Sequence, residues 1–105
     1  MAKSTESVPL PQPVSAALAG SPALAHLAQR LEKSRACLEA TLPVVPPGLR
    51  PHLSAGPWDE DGWTLLAHQA AATAKLRQLA PLIEDALQQA GLGVARLRIR
   101  AVLTR

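Results

Sequence analysis

The stretch Gly91-Leu92-Gly93-Val94-Ala95-Arg96-Leu97-Arg98-Ile99-Arg100-Ala101-Val102-Leu103 decides how the chain folds. Gly91 and Gly93 permit the left-handed turn that stops a helix. From Val94 to Leu103 the residues alternate with a period of two. Ala95, Leu97, Ile99, Ala101 and Leu103 take one side and Arg96, Arg98 and Arg100 the other. Such alternation belongs to a β-strand with one buried face and one open face. The strand needs a layer to cover its apolar side and neighbours to pair with. Both are sought upstream.

Residues 69–90 are rich in Ala, Leu and Gln, all strong helix formers. Ala72, Leu76, Leu79, Ile83, Leu87 and Ala90 fall on one face of such a helix. Pro81 interrupts it, lacking an N–H and crowding the carbonyl of Arg77, so a kink or a restart is expected there. Further upstream, Trp63, Leu65 and Ala67 alternate with Thr64, Leu66 and His68, which predicts a second strand. Asp59-Glu60-Asp61-Gly62 supplies a turn, and His52 to Gly56 a short strand before it. Together they predict an antiparallel hairpin with a loop longer than two residues. The five prolines between positions 43 and 57 exclude a helix or a central strand across that segment.

The first helix starts at Ser21-Pro22, an N-cap oxygen followed by a proline at the first helical position. Leu24, Leu27, Leu31, Leu38 and Leu42 recur at helical spacing, and Pro43 ends the run. Residues 1–20 carry Pro9, Pro11 and Pro13 and read as a disordered Pro-rich tail. The domain then occupies 21–105. Its element order is helix, strand, strand, kinked helix, strand. The expected fold is α+β, two layers, with a three-stranded mixed sheet covered on one face by both helices. The expected core is Leu24, Leu27, Leu31, Leu38, Leu65, Leu76, Leu79, Ile83, Leu87, Leu97 and Ile99.

Composition narrows function. The 105 residues are 48% hydrophobic and 18% charged, with a net charge of +3, which admits anionic partners without requiring them. Trp58 and Trp63 are the only aromatic residues, so a stacking platform for single-stranded nucleic acid is nearly excluded. The lone cysteine, Cys37, forms no internal disulfide and fits a reducing cytoplasm. No apolar run reaches the ~20 residues of a membrane span. Cys37 and His26 share a helix but stand about 16 Å apart by helical rise, too far for a catalytic dyad. His52 and His68 face each other across the hairpin, and a metal site there needs Asp59 or Asp61 to reach in. These residues predict no enzyme, no cofactor and no metal. The arginine stripe is the one feature with a ligand chemistry. Arg96, Arg98 and Arg100 recur every ~6.6 Å along a strand, near the spacing of phosphates on an extended backbone, and Lys75, Arg77 and Arg105 are candidates to join them.

The run Ala70-Ala71-Ala72-Thr73-Ala74-Lys75-Leu76-Arg77-Gln78-Leu79-Ala80-Pro81, followed by Leu87, Gly91 and the strand from Arg96 to Val102, resembles the DciA-type family. Leu42-Pro43, Pro47-Gly48-Leu49-Arg50-Pro51-His52-Leu53 and Gly62-Trp63-Thr64-Leu65-Leu66-Ala67 are similar to the entries of its first two strands. The resemblance spans residues 21–103. It implies a KH-like domain in a bacterial cytoplasmic protein that assists the replicative DNA helicase and binds DNA without catalysis. The Gly-x-x-Gly loop of true KH proteins is absent, with Gly56-Pro57-Trp58-Asp59 a poor match, so RNA clamping of that kind is not implied. The expectation is therefore a non-enzymatic adaptor with weak, sequence-independent DNA binding. The alternative is a protein–protein interaction module of the same fold without DNA binding.

Overall fold

The computed structural model describes residues 21–102. Helix α1 (Pro22–Thr41) begins where Ser21 caps it, the serine oxygen accepting from the Leu24 N–H at 3.3 Å. Two short 3₁₀ turns, Leu42–Val44 and Arg50–His52, carry the Pro-rich link, and the Arg50 Nε donates to the Val45 carbonyl across it. Strands β1 (Leu53–Asp59) and β2 (Gly62–Ala67) follow, then helix α2 (Ala70–Gln89) and strand β3 (Leu97–Ala101). The sheet order is β1-β2-β3, with β1 antiparallel and β3 parallel to the central β2. The expected α+β fold with a three-stranded mixed sheet is the one observed.

Both helices lie on one face of the sheet. The buried core joins Cys37 and Val45 to Leu53, Trp63, Leu65 and Ala67 of the hairpin and to Ala72, Leu76, Ile83 and Leu87 of α2. Register explains which strand residues look inward. Trp63, Leu65 and Ala67 pair with Leu97, Ile99 and Ala101, while Thr64 and Leu66 pair with Arg98 and Arg100. Residues paired across a ladder share a face. The arginines therefore stand on the face away from the helices.

Several expectations need correction. Leu24, Leu27 and Leu31 are not core residues: they are 46%, 50% and 63% exposed. Full burial on α1 falls instead on Ser34, Cys37 and Thr41. These side chains are small enough to pack closely there, and the hydroxyls of Ser34 and Thr41 are satisfied while Cys37 joins the core. Ser34 accepts from the Trp63 indole N–H at 3.0 Å and donates to the Gly56 carbonyl, and the Thr41 hydroxyl donates to the Cys37 carbonyl. Leu38, Leu79, Leu97 and Ile99 pack against the core but are only partly buried.

The hairpin loop is two residues, Glu60 and Asp61, since Asp59 pairs with Gly62. Asp59 Oδ1 accepts from the N–H groups of Asp61 and Gly62, which closes the turn. The first strand reaches Asp59 because one extra residue between Ala55 and Trp58 forms a β-bulge. Pro57 is tolerated there because β1 is an edge strand. The last strand starts at Leu97 rather than Val94. Its partner β2 begins at Gly62, and Trp63 already pairs with Leu97, so residues further upstream have no ladder to join. Helix α2 runs unbroken through Pro81, which is exposed, so no restart occurs. It ends in a Schellman motif: Gly91 at φ +76° donates to Gln88 and Leu92 donates to Leu87. The tail, residues 1–20, and Leu103 to Arg105 lie outside the described residues.

Candidate nucleic-acid interface

Strand β3 forms one edge of the sheet, and α2 runs beside it. Around this free edge lies a shallow, open groove of about 460 Å³ lined by Arg77 of the helix and by Arg98, Ile99, Arg100 and Ala101 of the strand. Arg98 and Arg100 arrive there by strand alternation, about 6.6 Å apart. Arg77 arrives from the helix. It borders the buried stripe of α2 next to Leu76, on the flank that meets β3. The lining contains no carboxylate, and among the described residues none of these three arginines forms an ion pair.

The other two candidates stand apart. Lys75 is exposed but sits about 200° around α2 from Arg77, on the opposite flank, and does not line the groove. Arg96 precedes the strand. Its carbonyl accepts from the Trp63 N–H at 2.9 Å, which fixes its backbone against the start of β2, and its side chain is not part of the groove wall. Sequence alternation brings Arg98 and Arg100 to the groove, whereas Lys75 and Arg77, close in sequence, stand on opposite flanks of α2. A helical projection around Leu76 separates those two, since they fall on either side of the buried stripe.

The groove offers three guanidinium forks beside Ile99 and Ala101. Such forks bind two oxygens of a phosphate or carboxylate at once. No aromatic side chain lines the groove. Trp63 is fully buried, and Trp58 packs at the far edge of the sheet with the Lys33 ammonium 4.9 Å from its ring centre. The site is built for charge rather than for base stacking.

The remaining reactive groups are placed elsewhere. His68 Nε2 and the Ser54 hydroxyl are 2.8 Å apart, and the His68 N–H donates to the His52 carbonyl. No group of three or more His, Cys, Asp or Glu side chains comes together among the described residues. Cys37 is buried, and burial pushes its thiol pKa up, with the nearby Lys33 pulling it down less. The thiol therefore stays protonated at neutral pH and shielded from reagents. Labelling by a thiol-reactive dye should be slow in buffer and rapid in denaturant; fast labelling of the native protein would mean that α1 opens at Cys37. No helix among the described residues is long and apolar enough to cross a membrane.

A scan against protein-family models finds no match for this chain, and a search of curated proteins finds none either.

Proposed function

We propose that this protein is a non-enzymatic, nucleic-acid-associated adaptor of the DciA type, and that it contacts DNA phosphates through Arg77, Arg98 and Arg100. The observation that carries the reading is the convergence of these three side chains, from a helix and a strand, on one groove without a carboxylate. A guanidinium stays charged at neutral pH and neither gives nor takes a proton in catalysis, so this groove is suited to binding and not to acid–base chemistry. Phosphate contacts position a protein on nucleic acid without reading its sequence. Binding is therefore weak, indifferent to sequence and governed by salt. The helicase partner follows from the family resemblance alone.

Fluorescence anisotropy with labelled duplex and single-stranded DNA tests the DNA contact. Three phosphate contacts release about three counterions. The logarithm of affinity should then fall against the logarithm of salt with a slope near −2.7 for duplex and about −2 for single strands. No binding at about 50 mM salt, or a slope near zero, rejects the reading. Pull-down from bacterial extract, with and without nuclease, tests the partner: helicase retained after nuclease treatment supports a direct contact.

A further inference from the structure

The edge of the sheet opposite the arginine groove carries a second, chemically different cleft. It is larger, about 740 Å³, and runs between α1 and the β1 edge. Leu27, Leu31 and Leu38 form its helical wall, and Ala55, Trp58 and Leu66 lie among the residues opposite. Leu27 and Leu31 are at least half exposed, and Leu24 at 46% continues the same stripe beyond the cleft. The three-, four- and seven-residue spacing of these leucines is that of a helix–helix seam. A contiguous exposed apolar strip of this kind on a small domain marks a docking surface.

Two observations specify the occupant. The β1 edge resists strand addition where the cleft passes it: Pro57 has no N–H, and the Gly56 carbonyl already accepts from Ser34. An extended peptide therefore finds an interrupted hydrogen-bonding edge, whereas a helix needs none. The charged residues lining the cleft are Arg30 and Arg35, and none is acidic. Their present partners are at the surface: Arg30 with Glu60 at 3.4 Å, and Arg35 with Glu32 at 3.6 Å and Glu39 at 3.9 Å. Exposed pairs of this kind contribute little and exchange readily for others. The Arg30 Nε is buried and has no hydrogen-bond partner. Lys33 adds a third cation beside Trp58.

We infer that this cleft binds an amphipathic helix of a partner protein, with leucine-like anchors on one face and carboxylates flanking them. From Leu27 to Leu38 the cleft follows α1 for about 16 Å, or three helical turns. The occupant presents apolar residues at i, i+3 or i+4, and i+7, the helix-in-groove mode of recognition. A second copy of α1 supplies the leucines but sets Arg30 and Arg35 of one chain in the cleft that already holds those of the other. An acidic flank is the complementary choice.

The test uses a fluorescein-labelled synthetic helical peptide of about 18 residues, with leucines at that spacing and glutamates on both flanks, and a twin carrying lysines instead of glutamates. Anisotropy should rise with the acidic peptide and not with the lysine twin. Leu31→Glu should weaken binding about tenfold or more, with an unchanged circular-dichroism spectrum, because Leu31 is 63% exposed. Arg30→Glu with Arg35→Glu should reverse the preference toward the lysine twin. Arg77, Arg98 and Arg100 changed to Gln should leave peptide binding intact, so this site and the DNA groove fail or succeed separately. Equal affinity for both peptides, or no binding of the acidic one, overturns the inference. So does a concentration-dependent dimer in sedimentation that Leu31→Glu abolishes, which assigns the cleft to a second copy. Peptide binding that appears only after removal of residues 1–20 overturns it as well, assigning the cleft to the chain's own leader.

Discussion

Trp63→Ala should destabilise the domain by about 3–5 kcal/mol, through lost burial and the cavity left behind. Trp63 is the largest fully buried side chain, on the central strand, where both helices and both edge strands converge. Its indole N–H also donates to Ser34, which in turn holds the Gly56 carbonyl, so α1 and β1 are tied through it. A domain of this size has a total stability near the lower end of ~5–15 kcal/mol, so the variant should be largely unfolded at 37 °C. Trp58→Ala is the comparison. Trp58 is only partly buried at the sheet edge, and its loss should cost much less. Urea denaturation followed by circular dichroism reads both. A midpoint unmoved in Trp63→Ala, or moved further in Trp58→Ala, would contradict the core described.

Gly62→Ala should cost about 2–4 kcal/mol, an unusually large effect for a single methyl. A Cβ at Gly62 would lie 2.2 Å from the Arg96 carbonyl oxygen and 3.0 Å from its carbon, with the backbone at φ +154°. Backbone of a neighbouring segment cannot yield as a flexible side chain does. The Arg96 carbonyl would be driven off the Trp63 N–H, removing the hydrogen bond that leads into the parallel β2–β3 pairing. Gly48→Ala, where nothing lies within 4 Å of the added methyl, should be nearly neutral. Equal denaturation midpoints for the two variants would show that β3 does not approach Gly62 this closely.

The architecture was legible where one face of an element is buried and the other is not. Alternation from Leu97 to Ala101 and the helical spacing from Ala72 to Leu87 each carry that contrast, and both elements are present, the strand starting three residues later than its alternation suggests. The leucines of α1 carried the same periodicity and misled. Spacing says which residues share a face, and only the neighbouring layer decides what covers it. In α1 the covered face is made by Cys37 and by Ser34 and Thr41, whose hydrogen bonds hydropathy does not register. The bulge at Gly56 and Pro57 was hidden for a related reason: the pair reads as a strand breaker, and only an edge position makes it admissible. Of the candidate site, Arg98 and Arg100 follow from strand parity, and Arg77 from the helix flank. The apolar cleft was hidden in sequence because its walls, Leu31 and Trp58, lie on separate elements that meet only in the fold.

The central claim is that Arg77, Arg98 and Arg100 together hold nucleic-acid phosphates. Fluorescence anisotropy at about 50 mM salt, comparing the wild type with the variant carrying Gln at all three positions, measures it directly. Gln keeps polar length and removes the charge, and the strand's inward residues Leu97 and Ile99 are untouched. The account predicts binding at least about tenfold weaker in the triple variant, a salt slope reduced toward zero, and near-wild-type binding in Lys75→Gln. Equal DNA affinity in the wild type and the triple variant would contradict it.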